Sequence, residues 1–348
     1  MTDTTLNSPE QTLYPYRIWW GVLACILIMG VIIALAPYND GIVFAVDQGG
    51  WWYLWQLPDP SVWTRLSAWG GYALHQLTIW WLIWYAQSSK LKYVQGLHPV
   101  NFMALMANAF FIGLHIVQTK VAYDGLAQDV HILTSMGSVV ILLVVVLMME
   151  NQRRGLVFGK KLPLSQEVVR ALRKYHGYYF SWAIIYTFWY HPIETTYGHL
   201  LGLFYTFLLM LQGSLFFTRT HTNKWWTMAM EFFVVVHGTM VAYVATMAGE
   251  SEGGSPGQFL FGFLLVFVIT QMHGLGLSKK IRWFIAAVFV ALMGFYYFGR
   301  WAEMVEVPRV AMIEYPAILV IGLITWMLIR LAVLLRWLIA RVAKPVGS

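Results

Sequence analysis

The chain has 348 residues, of which 59% are hydrophobic and only 11% charged, whereas a soluble domain carries about a quarter charged residues. Its single cysteine, Cys25, excludes an internal disulfide, a CxxCH haem attachment and a cysteine-based zinc or iron–sulfur centre. The formal net charge of +7 divides between opposite faces, as shown below, so it describes no nucleic-acid-binding surface. The expected fold class is therefore all-α: a polytopic transmembrane helix bundle forming one membrane domain over residues 1–348.

In chain order, residues 1–16 form a short polar tail that lacks the basic region of a signal peptide, so the first apolar run is expected to stay as an anchor. About 20 apolar residues cross the hydrocarbon core as a helix. Such runs fall at roughly 17–36, 61–86, 99–119, 130–149, 175–191, 198–217, 225–248, 258–278, 283–299 and 313–336, which predicts about ten spans. The stretch 41–60 is too apolar for a free loop and too broken for a span. It is expected to lie along the outer surface as an interfacial anchor, with a cover over a ligand as the alternative.

The positive-inside rule gives the orientation. With the N-terminus cytoplasmic, the inner segments hold Arg17, Lys90 and Lys92, the basic loop 150–174, Arg219 and Lys224, Lys279, Lys280 and Arg282, and the C-terminal Arg330, Arg336, Arg341 and Lys344. Only Arg65, Lys120, Arg300 and Arg309 fall on the other side. Acids gather opposite, among them Asp40, Asp124, Asp129, Glu194, Glu250, Glu252 and Glu314. Both termini are thus expected in the cytoplasm, and the location to be the cell inner membrane. Tryptophan at the boundaries agrees, with Trp19, Trp20, Trp225 and Trp226 inside and Trp51, Trp52, Trp55 and Trp63 outside.

Ionisable side chains are costly within a membrane, and here nearly all are histidines. On the third span Asn101, Asn108, His115 and Gln118 form one stripe, and the second carries Gly71 and His75. By depth, His115, His131, His191 and His199 belong to an outer layer with Glu194, His75 and His237 lie mid-membrane, and His273 lies toward the inner boundary. His98 and His221, flanked by polar residues, are expected at the surface. Glu231 is the one carboxylate well inside a span, either a protonated structural group or part of a relay.

Four functions follow. Paired histidines from His75, His115, His131, His199, His237 and His273 would ligate b-type haem for membrane electron transfer, with Gly71, Gly202 and Gly238 making room for the macrocycle. Alternatively, His115, His131, His191, Glu194 and His199 would bind a Zn, Fe or Cu ion in an enzyme acting on a lipid or quinone at the outer boundary. A third reading is a proton-coupled transporter using Glu231, His237 and His75. The fourth is a structural subunit of a membrane complex. Expected partners are the lipid bilayer and a quinone or another membrane redox protein, with no nucleic acid. No HExxH, GxxxxGK[ST] or GxGxxG motif occurs.

Overall fold

The computed structural model describes residues 17–49, 51–247 and 254–342. The tail 1–16 and the acids and bases Glu250, Glu252 and Lys344 lie outside the described residues. Helices α1 (Ile18–Ala34), α2 (Val62–Ser88), α3 (Pro99–Val121), α4 (Ile132–Arg154), α5 (Gln166–Tyr190) and α6 (Tyr197–Ser214) are followed by α7 (Lys224–Met247), α8 (Pro256–Ile269), α9 (Lys279–Tyr296), α10 (Trp301–Met304), α11 (Val307–Met312) and α12 (Glu314–Val342). Among the described residues there is no β-strand, only the isolated bridges Val94–Thr218 and Val157–Lys160.

A helix lies in each of the ten apolar runs. Five helical segments are long and apolar enough to cross a membrane: Pro99–Val121, Ile132–Arg154, Lys224–Met247, Pro256–Gly274 and Trp301–Ile339. Helix α1 is apolar but has only 17 residues, and polar content sets several of the others apart. Helix α5 opens on Arg170, Arg173 and Lys174, α9 opens on Lys279 and Lys280, and α2 carries Arg65, His75 and Gln76.

Two boundaries move from their expected places. Helix α5 starts at Gln166, nine residues ahead of the expected 175, because the basic side chains of its first turns still propagate a helix while their heads reach outward. The basic loop between α4 and α5 shortens accordingly. Residues 301–312, expected to be a plain connection, form α10 and α11, with Pro308 near the start of α11.

Caps set many of the starts. Ser61 Oγ accepts from Thr64 N–H (3.1 Å) at α2, Thr196 Oγ1 from His199 N–H (3.3 Å) at α6, and Ser278 Oγ from Ile281 N–H (3.3 Å) at α9. At α3 the cap is His98, next to Pro99. Asn101 Oδ1 accepts from the His98 backbone N–H (2.8 Å), and the His98 ring Nε2 meets the Lys92 carbonyl (2.9 Å). His98 is therefore 1% exposed, which corrects the expectation that it is a surface residue.

Contacts group the chain into two compact units. One comprises residues 1–136 and 180–233, the other 137–179 and 234–348. In the first, α1 packs on α6, α2 on α3 and α3 on α6. Asn101 ties α3 to the end of α6, donating to the carbonyls of Ser214 and Phe216 (both 2.8 Å). In the second, α8 packs on α9 and α11, and Phe261, Val268, Phe289, Tyr297 and Val307 form a buried cluster. A second cluster there joins Val144, Leu147 and Met148 to Ile318 of α12. Leu319, Val320, Leu323 and Leu328 on the rest of α12 are exposed, an apolar surface stable in hydrocarbon and not in water.

Candidate functional site

The site lies in the first unit, where α3 ends, α5 gives way to the turn before α6, and the irregular segment 41–60 folds in. Helix α3 presents its polar stripe inward along its whole length: Asn101, Asn108, His115 and Gln118 are all buried. The turn after α5 supplies His191 and Glu194, and α6 supplies His199. Segment 41–60 supplies Tyr53, 5% exposed. Pairing of Ala45 N–H with the Gln56 carbonyl (2.8 Å) doubles the segment back on itself. Gln128 grips it at Leu57, accepting from its N–H (2.9 Å) and donating to its carbonyl (3.0 Å).

The hydroxyl of Tyr53 stands between two imidazoles, 2.9 Å from His199 Nε2 and 3.0 Å from His191 Nδ1. His199 Nδ1 in turn meets Thr196 Oγ1 at 2.8 Å. Burial, then the neighbouring Tyr190 and Glu194, pushes the Tyr53 hydroxyl well above its ordinary pKa, so it keeps its proton. One O–H between two ring nitrogens donates to one and accepts N–H from the other. The two arrangements differ only by the movement of a proton from one histidine to the other through the phenol oxygen. Trp55 covers His199 edge-on, with ring centroids 4.4 Å apart.

Beside this trio, Glu194 accepts from Asn39 Nδ2 (2.9 Å), and Lys120 Nζ donates to Asn39 Oδ1 (2.8 Å), so an amide bridges the acid and the base. Tyr123 is buried nearby, and desolvation followed by the charge of Glu194 raises its hydroxyl pKa. Arg65 pairs with Asp124 (2.6 Å) and with Asp129.

Deeper lie His75 and His115, both 0% exposed, on either side of Trp189. His75 Nε2 faces Asn108 Oδ1 (2.8 Å), and Trp189 Nε1 donates to His75 Nδ1 (3.2 Å). The Asn108 amide is oriented by its other end, which donates to Ser214 Oγ (2.9 Å) while that hydroxyl donates to the Met210 carbonyl (2.8 Å). His75 is thus a neutral imidazole with its hydrogen on Nε2. His115 Nδ1 meets Gln118 Oε1 (2.8 Å) and Nε2 meets the His191 carbonyl (2.9 Å).

Comparison with protein-family models, curated proteins and solved structures finds no match to this chain. The chemistry is therefore read from geometry alone. Convergence of His115, His191 and His199 agrees with the two hairpins that bring them to one level. His131 does not join them. It is exposed and caps α4, its Nδ1 accepting from Leu133 N–H (3.2 Å). His237 is half-buried on α7 in the second unit, and His273 lies in the short turn after α8, its Nδ1 3.1 Å from Arg282 Nη1. Glu231 is half-buried on α7 in the first unit.

As ligands, His75 and His115 have both ring nitrogens taken by protein atoms. Among the described residues no group of three His, Cys, Asp or Glu side chains could hold a metal ion together. The space beside Gly71 is filled by Trp189 and that beside Gly238 by Phe263. Tyr53 and Trp189 were not foreseen as site residues. Trp189 had no signal beyond the aromatic richness of α5. Tyr53 had a faint one: an apolar stretch bracketed by Gly49, Gly50 and Pro58 that is too hydrophobic to leave in water.

Proposed function

We propose that this chain is a ten-span protein of the cell inner membrane with both termini cytoplasmic, and that it handles protons at the outer boundary of its helix bundle. The alternation of basic loops supports the orientation. The hydroxyl of Tyr53, buried between the rings of His191 and His199, carries the functional reading. Three exchangeable groups in a row, each at hydrogen-bond distance, pass a proton by shifting bonds without moving side chains. The ion pair of Arg65 with Asp124 and the Glu194–Asn39–Lys120 bridge hold the surrounding turns in place. The readings that need haem b or a Zn, Fe or Cu ion have less behind them, because His75 and His115 offer no ring nitrogen that the protein has not already engaged.

The test is proton flux. Protein reconstituted into liposomes loaded with a pH-sensitive dye, with the membrane potential clamped, is expected to relax an imposed pH step faster than empty liposomes. Tyr53→Phe keeps the ring and removes the oxygen, and should slow that relaxation by roughly 100-fold or more while leaving the melting temperature in detergent within a few degrees. Equal rates for wild type and Tyr53→Phe, or wild-type vesicles no faster than empty ones, would remove the reading.

A further inference from the structure

We propose that His115 is a buried proton-binding site, held as an imidazolium at neutral pH, and that in this form it positions the relay histidine His191. The charge on His115 rests on the direction of hydrogen bonds around a ring outside the relay, while its positioning role rests on the relay reading above.

Both nitrogens of His115 face oxygens that can only accept. Nε2 meets the main-chain carbonyl of His191 at 2.9 Å. Nδ1 meets Oε1 of Gln118 at 2.8 Å, and the orientation of that amide is fixed by its far end. Gln118 Nε2 donates to the carbonyl of Ala122 (2.8 Å), and the carbonyl of Asp124 (3.4 Å) and Ser67 Oγ (3.2 Å) lie beside it. Flipping the amide would set its oxygen against two carbonyl oxygens. Gln118 Oε1 therefore stays toward His115, and the ring needs a hydrogen on each nitrogen to satisfy both partners. A neutral imidazole has only one. The contrast with His75 is internal to the same core, since there one nitrogen meets an acceptor and the other a donor.

Burial opposes a charge on this ring, and the two acceptors together with the neighbouring indole are what offset that cost. The ring of His115 lies 4.2 Å from that of Trp189 at 32°, in range of the negative face of the indole. The charged and titratable groups packed nearest are His75 from α2, beyond Trp189; Lys120 from α3; Asp124, past Gln118; the His191 ring and Glu194 from the turn after α5; and His199 from α6, beyond Tyr53. Arg65 pairs with both Asp124 and Asp129. Asp40 and Glu194 act on Lys120, so carboxylates outnumber the permanent cations Arg65 and Lys120 around this end of α3. The charge-assisted bond from the His115 imidazolium to the His191 carbonyl fixes the peptide that carries the relay ring, which makes His115 a positioning residue.

Protein labelled with 13C,15N-histidine and studied by NMR at about pH 8, well above the ordinary imidazole pKa of about 6.5, tests this directly. One histidine should keep protons on both ring nitrogens and show a through-space contact from its charged ring to a histidine carbonyl carbon, a signal that needs no variant to assign. It should vanish in His115→Asn, and in Gln118→Leu, where Nδ1 loses its acceptor, the same ring should turn neutral at pH 8. If every histidine is neutral at pH 8, or if the doubly protonated ring persists in a folded His115→Asn protein, His115 is not the site. Liposome flux reads the relay separately: loss of the NMR signal with flux intact refutes only the imidazolium, and the converse refutes only the relay.

Discussion

Replacing Arg65 with leucine should destabilise the protein by about 3–5 kcal/mol, the cost of leaving a buried charge without its partner. Leucine keeps an apolar stem, so the loss isolates the guanidinium. Asp124 is 2% exposed, and Arg65 Nη1 reaches its Oδ1 at 2.6 Å and the Gly125 carbonyl at 3.1 Å. Burial raises the Asp124 carboxyl pKa, while the bond and charge of Arg65 and the Gly125 N–H pull it back. Without Arg65 the carboxyl rises further. A group whose folded pKa stands above its unfolded value, about 3.9 for Asp, contributes stability that is present at low pH and lost as pH rises through the folded value. At Asp129 burial raises the pKa, but the bonds from Arg65 and Trp69 outweigh it and leave the carboxyl below its ordinary range. That group stabilises the folded state above its unfolded pKa, and the variant forgoes this gain as well. The Asp129 loss is alike at pH 5 and pH 8, both above the unfolded pKa, whereas the Asp124 effect makes the deficit of Arg65→Leu largest near pH 8 and smaller near pH 5, which unfolding in detergent at the two values measures. Adding Asp124→Asn to Arg65→Leu should recover part of the loss. A deficit that does not change with pH, or a double variant with the full sum of both single losses, would show that the pair is not the cause.

How much of this could be read from the residues divides along a physical line. Counting along apolar runs was enough to expect His115, His191 and His199 near one another, as the structure has them, and the inward stripe of α3 was legible from its spacing of seven. Azimuth around a helix axis is another matter at helix ends. His131 has the right depth but sits ahead of the first turn of α4, where its ring caps the helix instead of turning inward. Segment 41–60 has no period, so beyond its apolar character little in it could single out Tyr53 from Phe44 and the tryptophans around it. Gly71 and Gly238 were read as room for a macrocycle, but a missing Cβ does not say what arrives. At Gly71 the visitor is an indole from α5, not a macrocycle. The directions of the hydrogen bonds at His75 and His115 depend on which end of Asn108 and Gln118 points where, and only assembled neighbours decide that.

The approach of Trp189 to α2 gives the second large effect. A Cβ on Gly71 would come closer than 3.0 Å to three atoms of the Trp189 ring, and Trp189 is 0% exposed. The indole has no room to yield, because His115 lies against it at 4.2 Å and Phe188 at 6.0 Å. Gly71→Ala is therefore expected to cost about 1–3 kcal/mol from overpacking, and about 1–3 kcal/mol more if the shift strips His75 Nδ1 of the Trp189 N–H and leaves it unpaired in the core. Gly70 is the control on the same helix turn. Nothing lies within 4 Å of a Cβ built there, so Gly70→Ala should gain about 0.5–1 kcal/mol from helix propensity alone. Opposite signs at adjacent positions of α2, measured as melting temperatures of the two single variants, would be hard to produce by any general effect of alanine in a membrane helix. A shared sign would place Trp189 somewhere other than on Gly71, and with it the indole that separates the neutral His75 from His115.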